Sequence, residues 1–172
     1  MKTIISFGIV MMTATATMAQ TWLGEYQWVA TDKEKAVIEK AVEDGAQQVG
    51  LLLRSVARGR LRDSTKPFQK LSFAMNENKT MTMTRDDDTP IVGATDNTKI
   101  EWKRKDGKVF KVTQTLEGNT FTQTFTDADD NTRVNKHVFN EEGKRLTLTI
   151  TLNSSSFKTP VTYTLTYERP KR

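Results

Sequence analysis

The chain contains no cysteine and a single histidine among its 172 residues. The missing cysteines exclude a disulfide framework, thiolate metal sites and a lipid-modified cysteine. One histidine is too few for a His-rich metal centre. His137 also has no serine or carboxylate in a recognisable motif around it, so no nucleophile–base pair can be named. These absences point to a non-catalytic protein with no metal and no cofactor. Asp127-x-Asp129-x-Asn131 begins like a calcium loop, but Thr132 stands where glycine is needed and Val138 where the closing glutamate belongs. It reads as a turn, and Asp86-Asp87-Asp88 as a solvated loop.

Long apolar runs are scarce too. Ile4–Met12 lies between Lys2 and the small-residue pairs Ala14-Thr15-Ala16 and Thr17-Met18-Ala19, with no further charge before Glu25. This is the pattern of a secretory signal peptide, too short for a good membrane anchor, with cleavage expected after Ala19 or alternatively Ala16. Export without cysteines favours a periplasmic or secreted bacterial protein. The net charge of +5 becomes about +4 once Lys2 is removed with the leader. Arg54, Arg58, Arg60 and Arg62 cluster, but aromatics are not interleaved with them on an exposed face, which argues against nucleic acid as a partner.

What the chain has in abundance is threonine alternating with apolar residues. The stretch from Lys108 to Leu152 reads as four strands separated by turns at Glu117-Gly118-Asn119, Asp127–Asn131 and Asn140–Gly143. Phe110, Val112, Gln114 and Leu116 share one face. Phe121, Gln123 and Phe125 oppose Thr120, Thr122, Thr124 and Thr126, and Leu146, Leu148, Ile150 and Leu152 oppose Arg145, Thr147, Thr149 and Thr151. Such a period of two, apolar on one face and Thr-rich on the other, indicates an antiparallel sheet with one wet side. Similar segments occupy Phe68–Met75, Lys79–Arg85, Ile91–Ala94, Thr98–Arg104 and Phe157–Glu168. The outer faces carry threonine and lysine, not the apolar band of an outer-membrane barrel.

Before these strands, Trp22–Val29 reads as a first strand with Trp22, Gly24, Tyr26 and Trp28 on one face. Thr31-Asp32-Lys33-Glu34 has capping-box spacing. From there Ile38, Ala41, Val42, Gly45, Ala46, Val49, Leu52, Leu53 and Val56 form an apolar stripe. The spacing predicts one amphipathic helix from about residue 32 to 57, with Gly45 or Gly50 as break points that would make it a pair. The stripe is expected to pack on the sheet, and Ala57–Lys66 to be a basic solvated connector.

The expected fold is mainly β: an antiparallel up-and-down barrel or strongly curved meander of about 8–10 strands, with one long N-terminal helix or helix pair. Residues 1–19 are the leader and 20–172 a single domain. The alternative is an α+β, cystatin-like sheet wrapped on the helix. The order of elements resembles the fatty-acid-binding-protein family of the calycin, lipocalin-like barrels. Trp22-Leu23-Gly24-Glu25-Tyr26 is similar to that family's opening aromatic-x-Gly-x-aromatic, and Asn119–Phe125, Thr132–Phe139, Arg145–Leu152 and Thr164–Arg169 resemble its closing strands. The resemblance implies a barrel suited to an apolar molecule. It also implies an Arg-x-Tyr clamp in the last strand, but here the pair is Leu165-x-Tyr167, so only Tyr167 carries over. The helical segment is longer than usual, and that family is typically cytosolic.

The function expected from these features is an exported binding protein holding a small apolar or amphipathic, lipid-like ligand. Candidate ligand-facing residues are Trp102, Phe110, Gln114, Phe121, Gln123, Phe125, Arg133, His137 and Tyr167. If the 133/135/137 face points inward, Arg133, Asn135 and His137 form a polar rung with Gln114 and Gln123 that would orient a ligand's polar end or hold water. The other role for His137 is purely structural. The competing reading of the whole is a barrel filled with its own side chains, serving as a structural or protein-interaction module.

Overall fold

The computed structural model describes residues 21–171; the expected leader falls outside the described residues. Ten strands alternate with turns as the period-two pattern requires: β1 (Gly24–Trp28), β2 (Lys70–Met75), β3 (Thr80–Arg85), β4 (Ile91–Ala94), β5 (Ile100–Lys103), β6 (Val109–Glu117), β7 (Thr120–Thr126), β8 (Thr132–Phe139), β9 (Arg145–Asn153) and β10 (Val161–Glu168). They form one antiparallel sheet in the order β4-β3-β2-β1-β10-β9-β8-β7-β6-β5.

Closure comes from the first strand. β1 pairs β2 on one side and β10 on the other, the latter through Gln27–Glu168 and Trp28–Tyr167. The sheet edges, β4 and β5, are left without a ladder between them. A bridge between Asp96 and Thr115 and the Asn97 N–H donating to the Gln114 carbonyl (2.9 Å) span this seam. The result is a nearly closed barrel, which overturns the cystatin-like alternative: an open meander in chain order would leave β1 with β2 alone and its far edges apart.

Gly24 lies at φ +128°, a conformation open to glycine, and the Arg169 guanidinium lies over that bare backbone. Arg169 donates to the carbonyls of Thr21 (2.5 Å), Leu23 (2.6 Å) and Gly143 (2.6 Å). This side chain just beyond β10 ties the segment Thr21–Leu23 ahead of β1 to the β8–β9 turn and seals one end of the barrel. Gly143, at φ +63°, has no room for a Cβ, which would lie 2.5 Å from the Thr21 carbonyl oxygen.

The helical region is the pair that a break at Gly50 makes, but its second helix runs further than expected. α1 runs Asp32–Gln47, with the Thr31 hydroxyl accepting from the Glu34 N–H as the capping box requires. A break at Gln48–Gly50 and a single 3-10 turn, Leu51–Leu53, lead into α2, Arg54–Thr65. The segment read as a connector is therefore a helix. Leu61 and Thr65 are buried, while Arg58 and Arg62 reach back to Glu43 and Glu39 on α1. The apolar stripe is buried from Ile38 to Ala46 and then fails, because the chain reverses at Gly50 and carries Leu52, Leu53 and Val56 outward, 93%, 61% and 55% exposed. Gly45 marks the tightest helix contact: a Cβ there would meet Leu61 and Val161 at 2.8 Å.

Candidate ligand-binding interior

Alternation places every second residue inside, and the register then decides which of them meet. In β6–β7–β8 the pairs Gln114–Gln123 and Gln123–Asn135 bring three amides onto one rung. Gln123 Nε2 donates to Gln114 Oε1 at 3.0 Å. Gln114, Gln123, Asn135 and His137 are all buried, so the 133/135/137 face points inward, but only Gln114, Gln123 and Asn135 share a rung; His137 lies one layer below, opposite Phe121, and Arg133 one layer above, opposite Phe125. Arg133, half-buried at the upper end of β8, donates from Nε to Asn135 Oδ1 at 2.9 Å and from a terminal nitrogen to the Ser64 carbonyl of α2 at 2.7 Å.

The rung is incompletely paired. Gln114 Nε2, Gln123 Oε1, Asn135 Nδ2 and His137 Nε2 are buried without a hydrogen-bond partner. His137 Nδ1 lies 3.0 Å from the Phe121 carbonyl. A carbonyl only accepts, so Nδ1 carries the proton and the free Nε2 is an acceptor within the barrel. Burial drives the His137 pKa down to about 3, with the Arg85 and Arg133 charges acting in the same direction, so the ring is neutral. It stacks on Phe121 (5.5 Å, 30°) and meets Phe73 edge-on (5.3 Å, 76°).

Below the rung, toward the sealed end, the interior is solid. Phe73 on β2 meets Phe121 on β7 at 6.0 Å and Phe139 on β8 at 5.1 Å across the barrel axis, and Trp22 stacks on Phe139 at 4.4 Å. The Tyr26 hydroxyl closes this end, within reach of the Trp22 and Gly143 carbonyls at 2.7 and 2.8 Å.

Above the rung the lining changes. Trp102, Phe110 and Phe125 form a mutual aromatic cluster with centroids 5.8–6.5 Å apart. Arg85, at the end of β3, enters it. Its guanidinium carbon lies 4.6 Å from the Phe68 ring centre, 4.7 Å from Trp102 and 5.1 Å from Phe125. Burial lowers its pKa to about 10, Arg133 adding to the effect and Asp88 opposing it. The C-terminal end of α2 covers this mouth, where the Tyr163 hydroxyl reaches the Thr65 carbonyl (3.4 Å) and Tyr167 donates to the Phe68 carbonyl (3.0 Å). A hollow of about 350 Å³ opens on the outside beside it, lined by Trp28, Lys35, Ile38, Glu39, Arg62, Thr65, Lys66 and Pro67.

No protein-family model matches the sequence, and no curated protein matches it either. The likeness is in the backbone. Fatty-acid-binding protein 1 of Echinococcus granulosus superposes with a TM-score of 0.54 at 12% identity, covering 88% of this chain and 99% of that one. The Schistosoma mansoni fatty-acid-binding protein, solved with arachidonic acid, gives 0.53 at 17% identity over 88% and 97%. As-p18, an extracellular fatty-acid-binding protein, gives 0.52 at 15% over 88% and 97%. The fold is that of the fatty-acid-binding proteins.

Within that fold, all nine sequence-predicted residues face the barrel interior, but they do not form one site. Phe121 and His137 belong to the packed layer, Gln114 and Gln123 to the rung, and Trp102, Phe110, Phe125 and Arg133 to the mouth. Tyr167 is fully buried with its hydroxyl engaged by Phe68. Sequence reading passed over Arg85. Its signal was parity: Met81, Met83 and Arg85 are two apart in β3, so one face carries all three. Phe68 and Asp88 lie outside strands, where no periodicity marks them.

Proposed function

We propose that this chain is an exported, non-catalytic carrier that holds a small apolar or amphipathic ligand in the upper part of its barrel. The observation that carries this reading is the set of unpaired polar atoms on and beside the central rung. Each buried donor or acceptor without a partner costs about 1–3 kcal/mol. Folding alone gives no reason to gather several on adjoining strands; a polar group or water held above them does. The aromatic lining above the rung supplies apolar contact, and apolar surface removed from water stabilises a complex by roughly 25 cal/mol per Å² before ordering costs. Non-catalysis accords with His137, which is neutral, packed between rings and bonded to a backbone carbonyl. Export rests on the leader-like start of the sequence, and the likeness in fold to As-p18, an extracellular fatty-acid-binding protein, supports it.

Native mass spectrometry of the protein, followed by solvent extraction, tests the reading. A co-purifying lipid-like molecule supports it. A clean apo mass, together with no binding of an environment-sensitive fatty-acid probe, supports the second reading, a side-chain-filled interaction module. That reading is favoured by one observation, the contact of Phe73 with both Phe121 and Phe139 across the barrel.

A further inference from the structure

Resting on the carrier reading, we infer that the helix-covered mouth binds the anionic head group of an amphiphile, with Arg85 as the central contact and Arg133 as the second cation. Arg85 is 5% exposed. Guanidinium presents five N–H donors, yet Nε has no partner and the one side-chain acceptor in reach, Asp88 Oδ2, is 3.4 Å away. Asp88 is a divided counter-ion, since its other oxygen accepts the backbone N–H groups of Thr89 (2.8 Å) and Lys105 (3.0 Å).

The remaining neighbours of Arg85 supply no anion. Its flanks are the rings of Phe68, Trp102 and Phe125, which solvate a cation with their faces but accept no hydrogen bond at its edge. The Arg133 guanidinium stands 5.5 Å from the same Phe68 ring. Its side-chain bonds go to the neutral oxygens of Asn135 and Ser64. Arg104, the next cation, is paired with Asp106. Arg85 thus has one distant carboxylate, and the half-buried Arg133 beside it adds a second positive charge. A buried charge without full compensation is costly, and an anion seated between Arg85 and Arg133 would supply what is missing. Carboxylate and phosphate share this chemistry, both accepting paired N–H donors from a guanidinium.

Calorimetric titration with hexadecanoic acid, hexadecyl phosphate and hexadecanol isolates the head group, because the alkyl chain is constant. The native protein is expected to bind the acid or the phosphate about tenfold or more tighter than the alcohol, the weight of one charge-assisted hydrogen bond; the tighter of the two identifies the anion. Arg85→Met keeps the apolar stem and should erase that preference, the acid and the phosphate losing more affinity than the alcohol. Arg133→Gln should reduce the preference in part. Should Arg85→Met fail to fold, Arg85→Lys retains the charge but loses Nε and the planar fork, and a reduced preference is expected there too. Equal binding of all three ligands by the native protein would overturn the anion site and leave the carrier reading standing. No binding of any of the three would overturn both.

Discussion

At the sealed end of the barrel, Phe73, Phe121, Phe139 and Trp22 meet ring to ring, and Tyr26 and Arg169 engage backbone carbonyls there. At the other end β3 and β8 present Arg85 and Arg133, with guanidinium nitrogens only partly matched. β8 passes through the whole gradient: Phe139, His137, Asn135 and Arg133 follow one another along its inner face. Both ends are equally inside by alternation. What differs is the partner available: at the sealed end each side chain faces another across the barrel, whereas the mouth is lidded by the end of a helix. The sealed end therefore behaves as a core, and the mouth holds polar atoms at a standing cost.

The largest effect is expected where packing is complete. Phe73→Ala should lower unfolding free energy in urea by about 3–5 kcal/mol, the cost of removing a fully buried ring from a layer that cannot collapse. A loss under 1 kcal/mol would show that the sealed end is not the core described here. The second test is pH. The folded pKa of His137 is depressed to about 3, so the unfolded chain takes up the proton first. Its contribution is fully present above about 6.5 and is lost as pH falls toward 3, at up to roughly 1.4 kcal/mol per pH unit. His137→Phe should flatten that part of the stability profile; an unchanged slope would mean the ring is solvated.

The rung should behave oppositely to the sealed end. Gln114→Leu and Gln123→Leu made together remove unpaired atoms, so stability should change by no more than about 1 kcal/mol, while selectivity among co-purifying or added lipids shifts. Unchanged selectivity would mean that the rung holds no ligand. The smallest effect belongs outside both regions. Leu52→Ser, at the 93% exposed tip between the helices, should move stability by less than about 0.5 kcal/mol. A loss of 2 kcal/mol or more would restore the continuous buried stripe that periodicity alone implies.

That stripe shows where sequence reading reached its limit. Three- and four-residue spacing carries on through Leu52, Leu53 and Val56; Gly50 marks a break locally, but nothing local says that the chain reverses there and turns these residues to solvent. Leu61 and Thr65 are buried in what composition marked as a basic loop, since arginines on the outer side of a short helix dominate its sequence. The strands were far more legible. Thr-x-Thr alternation assigned the inner face of β7 and β9 residue by residue, and the turn residues bounded each strand closely. The inner face of β8 was undecided, because Val134, Lys136 and Val138 compete with Arg133, Asn135 and His137. Pairing with Gln123 and Ile150 resolved it.

Local sequence specified the period-two alternation of the strands and the helix start at Thr31. Those are local properties, fixed by side-chain period, turn chemistry and composition. Closure of the sheet through β1 and β10, the inward turn of β8, and the approach of Arg85 and Arg133 to one Phe68 ring were decided only in three dimensions. They depend on register between strands far apart in the chain, and period-two patterning says which face a residue takes but not which residue it faces.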